Sequence, residues 1–545
     1  MGTSLHVVDI VILCAFILFI VLWALKNRKN ASAGDYFLAG KSMSWPVIGL
    51  SLFAVSISSS TLVGHAGEAF ISGVVVHNYN WISVLVMVFF ATFFLPFYLK
   101  NGIYTIPEYL ERRFDGRSRT YFSFITILGN VFLDAAACLY TGAIVVQMIF
   151  PGANMLWIIV IMAVIAGSYT IVGGLSSAIK ADMIQAVVLI VGAIALSICC
   201  IGEIGGWGDF IARFHDGPWL KMTRPLDDPT VPWLGMIVGI PILGFYFWGN
   251  NQVMVQRVLS ARSIDHGRKG VLLTGLLTLA CLYIIIMPGL VGRGLDMFGV
   301  ELPREIVSGS ELKQTWGIKT DSVYASLIIK YLPTGLIGIL LAAMISALTS
   351  TLSATLNSVS TLFTMDFYSK WARNRDSKHL VRVGQITALA ALVIAVAWAP
   401  LIAQFNSLVA YYQEIVSYLA PPIVGTFFVG LFWKRSNARG AFTGLIAGFV
   451  VGALIMTLKY GAGVTIPLHF LLLAPILLAL SVTVNVAVSL STSPPPAEKV
   501  EPNTWTRKYW TEESASYRGV PWYSNYRVLA ALLVAACLVQ YLFFF

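Results

Sequence analysis

Residues 342–366 read AAMISALTSTLSATLNSVSTLFTMD and carry nine Ser/Thr hydroxyls between Ser346 and Thr361, in a segment otherwise apolar enough to sit in a bilayer. A hydroxyl-dense helix at membrane depth either packs closely against neighbours or coordinates something polar. Ala347, Ser350 and Thr351 stand at i, i+3 and i+4, so one carbonyl and two hydroxyls share a helical face. Hard alkali cations take oxygen ligands grouped in this way, by analogy with calcium and magnesium sites. Small residues closing a helix–helix contact would give the same spacing, and spacing alone leaves both readings open.

The surrounding chain reads as an all-α integral membrane protein. Apolar residues make up 57% of it and charged residues 11%, against roughly 25% charged in an average soluble domain. About 14 apolar segments recur, at 8–25, 45–70, 77–99, 120–149, 155–172, 181–201, 233–256, 271–292, 323–362, 383–400, 406–431, 440–458, 466–489 and 527–545. Each is close to the ~20 residues that a helix needs to cross a ~30 Å hydrocarbon core. The connections between them are too short to hold a soluble domain.

Basic residues set the expected orientation. With the amino terminus outside, alternate connections face the cytoplasm and hold 27 of the 36 Lys and Arg residues, as the positive-inside rule requires. The net charge of +10 is then a topology signal, and a nucleic-acid partner is unnecessary. The first span has no basic residue before it and Lys26, Arg28 and Lys29 after it, the pattern of a retained anchor. The expected location is the plasma (inner) membrane, multi-pass. All six cysteines lie in apolar spans without metal-ligand spacing, which predicts buried thiols. No Gly-rich phosphate loop is present, which argues against an ATP-driven pump.

Two spans look interrupted. Residues 51–67, SLFAVSISSSTLVGHAG, load hydroxyls ahead of Gly64, and 233–256 carries Gly235, Gly239, Pro241, Gly244 and Gly249. Broken helices at matching places in two halves of a bundle point to a transporter built from inverted repeats, with unwound backbone exposed to an ion and a solute. Five spans separate the breaks, which predicts two five-helix repeats. The expected organisation is a first helix and cytoplasmic loop (1–44), a first repeat (45–210), a second repeat (211–435) and additional C-terminal helices with a cytoplasmic linker (436–545).

Six stretches in order, DYFLAGKSMSWPVIGLSLFA (35–54), GIYTIPEYLERRF (102–114), YTIVGGLSSAIKADMIQ (169–185), FYFWGNNQVMVQRVLSA (245–261), LNSVSTLFTMDFYSKW (356–371) and YYQEIVSYLAPPIVGTFFVGLFWKR (411–435), resemble the solute:sodium symporter family, and within it the sodium/sugar cotransporter branch. The resemblance implies a leucine-transporter-type 5+5 inverted-repeat core, alternating access, and the sodium ion as coupling ion. It also implies a sodium site made by the backbone oxygens of Ala54, Ile57 and Ala347 and the hydroxyls of Ser350 and Thr351. All five positions match. A broken helix would free the carbonyls of 54 and 57 from i to i−4 bonding and aim them at the 347–351 face.

Asp182 matches an aspartate that some family members use near a second sodium site, with Ser353 beside it; a salt bridge with Lys180 or an exposed carboxylate at a helix end is the alternative. Two-sodium members resemble one another in a further hydroxyl that falls here on Ala354. A methyl offers no lone pair, and Thr355 lies about 100° further round the helix. The expectation is one sodium per solute, with Asp182 tuning the local potential or holding the cytoplasmic exit.

For the solute, Gln413 matches the family's sugar-binding glutamine and Trp248 its inner-gate tryptophan. An amide offers donors and an acceptor, and an aromatic face stacks on C–H surfaces. Where sugar-transporting relatives show Asn, Gln or His, Glu, Tyr and Lys, this chain has Ser56, Thr61, Asn80, Phe247 and Thr278. The pocket keeps small neutral groups, which suits a neutral sugar or polyol and leaves glucose and galactose in question.

Asp134, halfway along 120–149 with Asn130 one turn before it, is an intramembrane acid that is expensive unless paired or functional. A cationic solute, a proton relay, or a neighbouring amide or hydroxyl would each explain it, and Glu414 raises the same question. The expected function is sodium-coupled symport of a small polar solute, a sugar or polyol. The alternatives are a sodium- or proton-coupled symporter for a cationic or amino-acid-like solute, and a transporter-like membrane sensor. The segment 490–526 is too short for a signalling domain, and its Pro run reads as a linker along the membrane surface. No paired base and nucleophile appears, so an enzyme is not expected.

Overall fold

In lipid, backbone polar groups must be satisfied within the chain, and the apolar stretches accordingly fold as helices. The computed structural model describes residues 6–26, 32–57, 59–150, 152–299, 320–372, 376–404, 408–464 and 466–545. Among the described residues are twelve helices long and apolar enough to cross a membrane. They form no β-strand, and a lone bridge joins Met43 to Ala261.

The count differs from fourteen in two places. Helix Met155–Glu203 runs 49 residues where the sequence predicts two spans joined by 173–180. Its interruption is not a polar loop but a single residue, Gly174, at φ 63° and ψ −165°. A Cβ there would lie 2.7 Å from the Tyr36 ring and 2.8 Å from the Tyr36 carbonyl, so only glycine fits both the backbone and the neighbour. The second place is 45–99, where Trp45–Ser56 stands alone as a 12-residue helix and 61–93 counts as one apolar unit.

Both expected breaks occur. The first helix stops at Ser56, Ile57 takes φ −89° and ψ 62°, and helix resumes with Ser59–Ser72. The second break falls at Asn251, at φ −71° and ψ 122°, whose side chain caps the restarting helix Gln252–Leu259 through the Val253 N–H at 2.8 Å. It is not at the Gly/Pro cluster that drew attention in the sequence. Those glycines serve close packing: a Cβ on Gly239 would meet the Leu471 carbonyl oxygen at 2.2 Å, and one on Gly235 the Leu471 Cβ at 2.8 Å. Small residues that let backbones approach are how membrane helices gain packing contacts.

The hydroxyl-rich helix Leu336–Leu362 lies at the centre, along Met155–Glu203 and against Val7–Lys26. Asp9 of that first helix accepts from the N–H groups of Gly335 and Gly338, each at 2.8 Å. The carboxylate therefore caps the positive end of the central helix from a neighbour. Leu408–Phe432, Ala438–Met456 and Phe470–Ser491 pack together as a C-terminal group.

The linker after Ser491 forms the helix Arg507–Ser516. Glu513 on it accepts from Arg268 at 2.6 Å, Arg527 at 2.9 Å and the Tyr526 hydroxyl at 3.1 Å. Burial pushes the Glu513 carboxyl up, but Arg268, Arg527 and Tyr526 outweigh it and hold the carboxyl below its ordinary range. A depressed folded pKa means docking is strongest above the ordinary carboxylate pKa and weakens as pH falls below it. Glu513→Gln should therefore lower the amide protection factors in 507–516 at neutral pH, and acidification should lower them further in the wild type than in the variant.

Candidate functional site

The first break and the hydroxyl face meet through Val55. Thr351 Oγ1 lies 3.1 Å from the Ala347 carbonyl oxygen and 3.4 Å from that of Val55, so its proton is directed at backbone on both helices. Ala54, Ile57, Ala347 and Ser350 are all buried. Ser56, at the end of the first helix, turns its hydroxyl back to the Phe53 carbonyl at 2.9 Å, and its own carbonyl accepts from Thr61 at 2.9 Å.

Behind this face, Asp182 is paired with Arg257, not Lys180. Arg257 Nη2 donates to Asp182 Oδ2 at 2.8 Å and Arg257 Nε to Ser51 Oγ at 3.0 Å, while Ser51 donates to the same carboxylate at 2.7 Å. The other carboxylate oxygen accepts from the Ser350 hydroxyl. All four side chains are essentially inaccessible. Ser350 thus gives its proton to Asp182 and keeps its lone pairs, the arrangement a hydroxyl needs to face a cation. Asp182 itself, with both oxygens occupied, is committed to Arg257, Ser51 and Ser350. Ser353 Oγ is buried, with no hydrogen bond of ordinary geometry among the described residues.

The residues expected to meet a solute do come together. Ser56, Thr61, Asn80, Phe247, Trp248, Thr278 and Gln413 all line one cavity of about 150 Å³. Pockets for drug-sized ligands run to roughly 300–1,000 Å³, so this cavity is small. Ile57 and Thr351 form part of the same wall, which places the first break and the hydroxyl face directly against this cavity. Phe247 and Trp248 sit in the helical turn before Asn251, their rings edge to face at 5.1 Å. Asn80 is held by His65 at 3.2 Å, and the Thr278 hydroxyl is buried with no hydrogen-bond partner among the described residues.

Sequence reading missed several wall residues. His65, Tyr79, Tyr246, Tyr412 and Thr355 all line the cavity. Tyr412 was adjacent to a recognised position, and Thr355 lies one turn after Thr351; the rest are brought in by packing that no local pattern encodes. Asp134 is on the wall too, in a widened helical turn, 130–135. Glu414 is not: its carboxylate takes the Tyr418 hydroxyl at 2.7 Å, the Tyr460 hydroxyl at 2.8 Å and the Lys459 ammonium. It is the buried half of an ion pair between neighbouring C-terminal helices.

Asp366, the last residue of the opening stretch, has a similar structural role. It accepts from Arg119 Nη2 at 2.6 Å, Thr105 at 2.7 Å and Ser123, and Arg119 also pairs with Glu111. This ties the end of the central helix to Ile106–Arg113 and Gly116–Gly129.

Residues 36–448 match the family model described as the sodium:solute symporter family. The chain is 34% identical to the sodium/glucose cotransporter 1 of Oryctolagus cuniculus, over 92% of this chain and 81% of that one. It is 32% identical to the sodium/myo-inositol cotransporter of Canis lupus familiaris, over 96% and 79% respectively. Among solved structures, a Na+-coupled sialic acid symporter in a substrate-bound outward-open state superposes with a TM-score of 0.77 at 22% identity, covering 90% of this chain and 99% of that one. Mhp1, a nucleobase-cation-symport-1 family transporter, superposes with a TM-score of 0.53 at 11% identity, over 88% and 98%. At these identities the structural likeness speaks for the fold.

Proposed function

The chain belongs to the sodium:solute symporter family, and from that premise we propose that it imports a neutral sugar or polyol with sodium by alternating access. The observation that carries this reading is the shared wall. Seven polar and aromatic side chains suited to a polyhydroxyl ring enclose one cavity with Ile57 and Thr351, so an ion at the first break and a solute in the cavity would stabilise each other's binding. Sodium sits on the backbone oxygens of Ala54, Ile57 and Ala347 and on Ser350 and Thr351. One charge crossing a 100 mV potential contributes about 2.3 kcal/mol, which adds to the chemical gradient in concentrating a neutral solute.

The chain crosses the plasma membrane fourteen times in this reading, with its amino terminus outside. A straight helix of 49 residues would be about 74 Å long, more than twice the ~30 Å core, which supports two crossings in Met155–Glu203. The two breaks, at Ile57 and Asn251, head five-helix repeats within 45–210 and 211–435. One sodium moves per solute: Asp182 is engaged by Arg257, Ser51 and Ser350, and Ala354 offers no ligand.

Gln413→Ala tests the solute site. Loss of an amide partner leaves a solute hydroxyl unpaired in a dry pocket, at about 1–3 kcal/mol. The apparent KM for the transported sugar or polyol should therefore rise roughly 5- to 150-fold with sodium dependence retained. An unchanged KM would remove Gln413 from the solute site.

A further inference from the structure

The cavity wall contains one carboxylate, Asp134, and no Lys or Arg among the described residues. Asp134 takes part in no salt bridge among them. Two neutral groups hold it from the side. The Asn130 carboxamide, oriented to satisfy its neighbours, accepts from Ser358 Oγ at 2.6 Å and donates to Asp134 Oδ2 at 3.2 Å. The Tyr412 phenol is its other partner. A carboxylate offers about four acceptor sites, so these two bonds fix the group and leave acceptor capacity facing the cavity. Every other polar side chain assigned to the solute, Ser56, Thr61, Asn80, Thr278 and Gln413, is both donor and acceptor. Asp134 alone can only accept when ionised.

We propose that Asp134 orients the solute, its carboxylate accepting hydrogen bonds from two adjacent hydroxyls of a neutral sugar or polyol. Hydroxyl-to-carboxylate bonds are charge-assisted and roughly twice as strong as neutral ones, and two of them from neighbouring hydroxyls fix the ring's rotation in the cavity. Charge balance favours a neutral partner over a cationic one. With sodium at the Ile57 and Thr351 wall, Asp134 makes the loaded cavity electroneutral, whereas a cationic solute would leave an uncompensated positive charge in a site with no other anion. The inference rests on the proposed symport of a sugar or polyol and assigns which group reads its hydroxyls.

The test uses the purified full chain in proteoliposomes under an inward sodium gradient. The probes are D-glucose, myo-inositol, single-deoxy analogues of whichever is carried, and protonated glucosamine. Asp134→Asn, close in shape, should raise the KM of the neutral probe roughly 10- to 100-fold with little change in Vmax. Deoxy analogues lacking either of the two contacted hydroxyls should be disfavoured by the wild type and no longer disfavoured by the variant, a coupling that a merely structural role would not produce. Retained sodium-dependent thermal stabilisation of Asp134→Asn shows that the variant folds. An unchanged KM and unchanged analogue discrimination would overturn the proposal. So would preferential wild-type uptake of glucosamine that Asp134→Asn abolishes, because the carboxylate would then pair with a cation. Absence of sodium-driven uptake of any neutral sugar or polyol by the wild type would instead sink the proposed solute class, and this inference with it.

Discussion

Arg257→Met is expected to destabilise the protein by about 3–5 kcal/mol, the usual consequence of removing one partner from a buried ion pair. Arg257 and Asp182 are fully buried and joined at 2.8 Å, and Arg257 also holds Ser51 and the Val253 carbonyl. Without the guanidinium, the Asp182 charge has only the Ser51 and Ser350 hydroxyls against it. The double variant Arg257→Met/Asp182→Leu should recover much of the loss, because two apolar groups of similar volume leave no buried charge unpaired. Melting temperatures of the purified proteins in detergent measure this. Equal loss in the single and double variants would mean that the pair's side chains matter for packing and not for charge.

Thr351→Ala is expected to raise the half-saturating sodium concentration about tenfold, equivalent to about 1.4 kcal/mol, with the protein still folded. It removes one of the five proposed sodium-binding oxygens, and a partly dehydrated cation would feel that loss directly. Ser350→Ala should do the same, with a second effect, since it also takes a hydrogen-bond donor from Asp182. The Thr351 hydroxyl bonds the Ala347 and Val55 carbonyls and, among the described residues, makes no hydrogen bond to Asp182, so it isolates the ligand effect. Sodium titrations of uptake check both; unaltered sodium dependence in both variants would show that the cation binds elsewhere.

Much of this was legible in the sequence because the relevant signals are local. The hydroxyl spacing of Ala347, Ser350 and Thr351 fixes one face of one helix. The run 51–61 marks the first break within a few residues. The seven candidate solute positions lie on five separate stretches; Trp248 and Gln413 match the family's residues, the other five depart from them, and all seven line one cavity. What was not legible depends on distant partners. Asp182 finds Arg257 75 residues away and Glu414 finds Lys459 on the next helix, and neither choice is written in neighbouring residues. The second break was placed at glycines because glycine weakens a helix, whereas Gly235 and Gly239 are there to admit Leu471. The actual break needs only Asn251, whose side chain caps the following helix. Within 173–180, where the sequence predicts a connection, the single residue Gly174 replaces a whole loop.

The most direct test of sodium-coupled symport through this site is the ratio of charge to solute flux in voltage-clamped membranes, with sodium replaced by potassium as control. The account predicts saturable uptake of a neutral sugar or polyol that requires sodium, accompanied by one positive charge per solute. Uptake of equal rate in sodium and potassium, with no associated current, would contradict it.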